Sequence, residues 1–129
     1  MGTCLDAYLD MHRVAAPPHV REGWSTLSKW SLGKCYGVMR ALTDAAESRA
    51  DGVSAGWPEM LAGYDQESER ELSDAGTLPV VVASAEALGG VLDAADDGEG
   101  AWPTVRTLLG AMWLLERAGI TARVLFVRG

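Results

Sequence analysis

The side chains best suited to chemistry in this sequence lie close to its start. Over positions 4 to 12, Cys4, Asp6, Tyr8, Asp10 and His12 alternate with Leu5, Ala7, Leu9 and Met11. A period of two is the signature of a half-buried strand, so a thiol, two carboxylates, a phenol and an imidazole project from one face. Such a set could hold a metal or move a proton, with Cys4, Asp6 and His12 as the candidate ligands. Spacing limits it. Alternate residues of a strand lie roughly 6.5 Å apart, which separates Asp6 from Asp10 by about 13 Å, too far for a catalytic carboxylate pair. A metal would need further ligands from elsewhere in the chain. A solvated strand face is the simpler expectation, and no cofactor is expected.

The remaining motifs are weaker. Gly52-Val53-Ser54-Ala55-Gly56 has the letters of a nucleophile turn, which lifts a serine between a strand and a helix. Here a helical pattern precedes it, and His12 and His19 both come before Ser54, where the general base should follow. A Gly/Ser loop is expected instead. Gly33-Lys34 looks like the end of a phosphate loop, but Ser28 stands in place of the first glycine and Cys35 in place of the Mg²⁺-binding hydroxyl. Asp93, Asp96, Asp97 and Glu99 lack the spacing of a calcium loop and read as an acidic turn. Cys4 and Cys35 are the two cysteines, with no Cys-x-x-Cys, so neither a zinc site nor a disulfide framework is expected and a reducing cytoplasm fits.

Charge carries more information. The 129 residues hold 11 Lys and Arg against 18 Asp and Glu, a net of −7, which argues against direct nucleic-acid binding. Residues 59 to 99 contain eleven of those acids and one base, Arg70, so the stretch carries −10. A concentrated negative field steers basic partners, although it also serves solubility as a solvated surface. Five tryptophans against one phenylalanine add a second signal, because Trp is enriched at interface hot spots. Trp24, Trp30 and Trp57 fall in loop-like sequence, where they either anchor loops to the core or form a partner-binding patch. Trp102 and Trp113, at the long helix, are expected in the core or half-buried. The partner-binding candidates are therefore Glu67, Glu69, Glu71, Asp74, Trp57 and Trp24.

These residues must be positioned by a small set of elements. The first strand spans 4 to 12, and Val20 to Trp30 reads as a loop or short hairpin after Pro17-Pro18. From Lys34, the spacing of Cys35, Val38, Met39, Leu42, Ala45, Ala46 and Arg49 predicts an amphipathic helix ending near Asp51-Gly52. Pro58 suits a short helix with Met60 and Leu61, followed by an exposed Glu-rich helix or turn over 66 to 74. Residues 79 to 83 read as a buried strand and Ser84 as the N-cap of a helix carrying Leu88, Val91 and Leu92. Pro103 opens the clearest helix, with Val105, Leu108, Leu109, Met112 and Leu115 on one stripe and Gly119 as its end. Residues 123 to 127 form an apolar final strand, which could lie parallel to the strand at 79 to 83. The expected architecture is a mixed α/β (α+β) single domain over 1–129, with one small mixed sheet of three to four strands and three to four packed helices. The apolar run Leu108 to Leu115 is too short to span a bilayer, and the amino-terminal residues lack the basic and apolar regions of a secretory signal.

At four points the chain resembles a set of small uncharacterised bacterial and phage proteins that open Met-Gly-Cys-Asp-Ile-His. Met1-Gly2-Thr3-Cys4-Leu5-Asp6 is similar to that opening, and Lys34 to Leu42 resembles the family's Arg-Asn-Tyr-x-Leu-Phe-Ala-x-Leu helix. Ser54-Ala55-Gly56-Trp57-Pro58-Glu59-Met60-Leu61 is similar to its Ser-x-Ser-Trp-Leu-Thr stretch and the Glu-Leu-Leu that follows. Ala122 to Phe126 resembles its last strand, Val-Arg-Leu-Val-Phe. The resemblance implies a cytosolic, phage-related protein. This chain has no histidine at the opening and Val53 where one often precedes the Ser-Trp stretch, which tilts the implication toward binding rather than catalysis.

The resulting expectation is a small acidic cytoplasmic interaction module for a basic protein partner, of the kind that inhibits a host protein on behalf of a phage or mobile element. The alternative is a small metal-dependent or hydrolytic enzyme using the polar face of the first strand. Neither direct nucleic-acid binding nor membrane association is expected, and the oligomeric state is left open.

Overall fold

The computed structural model describes residues 4–13, 23–56 and 79–128. Its first strand, β1 (Cys4–Arg13), follows the alternation of the sequence, with Leu5, Ala7 and Leu9 buried on one face. The chain returns as β2 (Gly23–Lys34), an antiparallel partner of β1. This long strand replaces the loop or short hairpin expected there. Its register shifts twice against β1, where Leu27 and Leu32 are the extra residues on the β2 side. Each such bulge breaks the period of two by which a strand is recognised in sequence.

Helix α1 (Tyr36–Glu47) buries Val38 and Leu42. It stops earlier than Gly52 because Arg49 adopts the left-handed conformation, with φ 57°. The Arg49 N–H donates to the Ala46 carbonyl and the Ala50 N–H to the Ala45 carbonyl, the paired bonds of a Schellman cap. A three-residue strand, β3 (Val53–Ala55), follows and pairs antiparallel with β4 (Val80–Val82). Helix α2 (Ala85–Ala95) begins at Ser84, whose hydroxyl accepts from the Ala87 N–H at 3.1 Å. A Glu116 carboxylate oxygen accepts from the Ala85 N–H at 3.1 Å, so two of the first N–H groups of α2 have partners. Helix α3 (Trp102–Arg117) buries Trp102, Val105, Leu108 and Met112 and ends in a second Schellman cap at Gly119, with φ 81°. Strand β5 (Ala122–Arg128) closes the fold.

The order β2-β1-β5-β4-β3 gives one five-stranded sheet, and every pairing in it is antiparallel. The architecture is mixed α and β as expected. The sheet has five strands rather than three or four, it is antiparallel rather than mixed, and three helices lie among the described residues. Strands β4 and β5 are neighbours but not parallel. Two helices separate them, and each reverses the chain direction, so a strand-helix-helix-strand path returns antiparallel where a single crossover helix would return parallel. The expected helix at Pro58 and the Glu-rich helix or turn at 66 to 74 lie outside the described residues.

One buried cluster holds these elements together. Leu5, Ala7 and Leu9 of β1, Ala122, Val124 and Phe126 of β5, Val82 of β4 and Val53 of β3 pack with Val38, Leu42, Leu88, Val105, Leu108 and Met112 of the helices. Strand β5 is buried from Ala122 to Val127, as a central strand must be, so both of its faces are shielded from water. Trp102 joins the core, but Trp113 is 48% exposed. It lies about 100° around α3 from Met112, beyond the edge of the apolar stripe.

Candidate functional site

Sheet pairing sets a row of three residues side by side. Asp10 of β1 lies between Thr26 of β2 and Arg123 of β5. The Thr26 hydroxyl donates to one Asp10 carboxylate oxygen at 3.0 Å, and the Arg123 Nε donates to the other at 3.1 Å. Asp10 is fully buried and Arg123 only 5% exposed. The Arg123 guanidinium also stacks over the Trp24 ring, 4.1 Å from its centroid. His12 meets the same ring edge-on, with 5.2 Å between centroids, and its backbone N–H donates to the Thr121 carbonyl at 2.8 Å. Burial of opposite charges is tolerated only when each satisfies the other. The group therefore ties β1, β2 and β5 together at one end of the sheet, and its carboxylate serves as an anchor for that end.

The residues singled out in the sequence fall into three groups. Trp24 belongs to this cluster and is half-buried, a wall for Arg123 and not a loop anchor. Cys4, Asp6 and His12 share one strand, but Cys4 and His12 are eight positions apart, about 26 Å along β1. Among the described residues no three His, Cys, Asp or Glu side chains gather where they could hold a metal ion. Ser54 is exposed on the edge strand β3, three strand spacings or about 14 Å from β1. Cys35 is buried at the start of α1, and burial first, then the nearby Cys4, push its thiol pKa up, the opposite of an activated nucleophile. Glu67, Glu69, Glu71, Asp74 and Trp57 lie outside the described residues.

Sequence reasoning missed a groove of about 870 Å³ between α1 and α2. From α1 and its C-cap it is lined by Ala41, Asp44, Ala45 and Ser48, and from α2 by Glu86, Ala87, Gly90, Val91, Ala94 and Ala95. Steps of three and four place each set on one helix face. Ala50, Asp51, Gly52 and Ser84 complete the lining where α1 ends and α2 begins. Gly52 lets these two helices come together there: with φ 78°, a Cβ on it would sit 2.7 Å from the Ala87 Cβ. Farther along, most of the facing side chains are alanine methyls, the hydrogen of Gly90 and the hydroxyl of Ser48, with Val91 the one larger apolar group, so the gap is left unfilled. The larger Val38, Leu42, Leu88 and Leu92 are buried in the core cluster instead. Among the described residues, Asp44, Asp51 and Glu86 are the charged residues of the lining, and no Lys, Arg or His contributes to it. The legible signal was the repetition of small residues at helical spacing on two separate helices.

No family model, curated protein or solved structure matches the chain. No helix among the described residues is long and apolar enough to cross a membrane.

Proposed function

We propose that this protein is a small acidic interaction module that binds a basic protein partner, and that the groove between α1 and α2 is part of the surface it uses. The observation that carries the reading is the lining of that groove: small side chains from two helices, three carboxylates and, among the described residues, no base. A concave apolar surface rimmed by one sign of charge favours a partner of the opposite sign through both contact and steering. The net charge of −7 and the −10 stretch at 59 to 99 act in the same direction over a longer range. Glu67, Glu69, Glu71, Asp74 and Trp57 are the further residues proposed to meet the same partner, and Trp24 serves the module indirectly by holding the β1–β2–β5 end of the sheet. A phage-borne inhibitor of a basic host protein, such as a nuclease or a defence protein, is the role this favours.

The test is affinity capture from host lysate, with and without phage infection. It compares the native chain with Asp44→Asn/Asp51→Asn/Glu86→Gln and with a second variant neutralised at Glu67, Glu69, Glu71 and Asp74. A stoichiometric basic partner is expected, with capture that weakens in salt and falls in the neutralised variants. Capture that is indifferent to salt and to both sets of substitutions contradicts the reading.

A further inference from the structure

We propose that the element docking in this groove is a basic amphipathic α-helix of about two to three turns, supplied by the partner. The inference rests on the reading above and names the shape and chemistry of what is bound.

Shape is the first argument. Ala41, Ala45 and Ser48 on one wall and Ala87, Gly90 and Ala94 on the other present small side chains at steps of three and four. Helices pack with axes about 8–10 Å apart, and the closest approaches occur where the facing residues are small. Two such stripes facing one gap accept the ridges of a third helix on both sides. From Ala41 to Ser48 the α1 wall rises about 10 Å, which sets an occupant of at least two turns.

Backbone chemistry is the second. The walls are helices whose interior N–H and C=O groups are already paired along their own axes. An extended peptide gains affinity from an open sheet edge, and nothing in this lining offers one. A helix satisfies its own backbone and needs only side-chain complementarity, so it is the segment type that can enter without leaving polar groups unpaired.

Charge is the third. Asp44, Asp51 and Glu86 line the groove with no compensating base among the described residues, and the last turn of α1, whose carbonyls point toward the same end, carries no basic residue. Lys and Arg flanking an apolar stripe on the occupant would meet these carboxylates while their aliphatic stems cover the alanines. An acidic helix or a nucleic acid would be repelled.

The experiment selects binders of the full chain from a display library of 14-residue peptides with randomised sequence. The best peptide is then measured by fluorescence anisotropy on three proteins: native, Gly90→Leu, and Asp44→Asn/Asp51→Asn/Glu86→Gln. Beyond its own stretch of helix, nothing lies within 4 Å of the position a Cβ would take on Gly90, so a leucine side chain there starts out into the groove rather than into the core. A thermal midpoint equal to or above that of the native protein confirms that the variant is folded. The expected result is enrichment of helix-forming peptides with Lys or Arg beside apolar residues at three and four spacing. Their affinity should fall at least tenfold in Gly90→Leu and at least fivefold in the neutralised variant. Enrichment of acidic or proline-containing extended peptides, no enrichment, or binding unchanged by Gly90→Leu overturns the inference. If the helix fails while salt-dependent, carboxylate-dependent capture of a basic protein persists, the helical occupant alone is wrong. If both fail, the functional reading falls with it.

Discussion

Asp10 and Arg123 are direct register partners on β1 and β5, and the arginine Nε donates to the buried carboxylate at 3.1 Å although 113 positions separate the two in sequence. Removing either member takes an opposite charge away from the other in a water-poor site. Asp10→Asn and Arg123→Met should therefore each cost roughly 3–5 kcal/mol of folding stability. The double variant Asp10→Leu/Arg123→Met should lose much less than the sum, because an apolar pair leaves no uncompensated charge. Equilibrium urea unfolding of the three proteins checks this. A single variant losing under about 1 kcal/mol would show that the pair behaves like a surface bridge.

The two Schellman caps differ in the residue at their left-handed position. Gly119 holds it after α3 at no steric cost, whereas Arg49 holds it after α1 with φ 57°. Arg49→Gly should stabilise the protein by about 0.5–1 kcal/mol, and Gly119→Ala should destabilise it by about 1 kcal/mol or more. Opposite shifts in thermal midpoint are the readout.

Gly52 combines a positive φ with a close approach to α2. Alanine there places a methyl 2.7 Å from the Ala87 Cβ, in a conformation that side chains avoid. Gly52→Ala should cost about 1–3 kcal/mol by overpacking and strain together. Adding Ala87→Gly should restore the packing part and leave the backbone part, which a double-mutant cycle separates.

Asp96 gives a pH signature. The hydrogen bond from the Arg106 side chain, aided by the Gly98 N–H, holds its carboxyl below the ordinary range. A folded-state pKa below the unfolded value stabilises the protein above about pH 3.9 and is lost as pH falls through the folded value. Asp96→Asn should therefore lower the thermal midpoint at pH 7 and converge with the native protein in acid. The effect should be small and should shrink in salt, because the pair is exposed.

Much of this fold was legible where one rule operated alone. The alternation of 4 to 12 gave β1, the apolar run after Gly119 gave β5, and Ser84 and Gly119 marked a helix start and a helix end. β2 was hidden because the bulges at Leu27 and Leu32 break its period. The end of α1 was misplaced because Arg49 does work usually given to glycine, while Gly52, the apparent cap, is needed for packing. Asp10 was counted with the polar face of β1, since its partner is set by sheet register rather than by local spacing. The groove escaped notice because it consists of what small side chains leave unfilled, and a sequence scan for reactive groups passes over alanine.

The most direct measurement is an amide chemical-shift map of the full chain, titrated with the basic helical peptide selected above. The account predicts that the largest shifts fall on α1 from Ala41 to Ser48 and on α2 from Glu86 to Ala95, and that they disappear in Gly90→Leu. Shifts confined to the Cys4 to His12 face of β1, with the two helices unmoved, would contradict it and return attention to that strand.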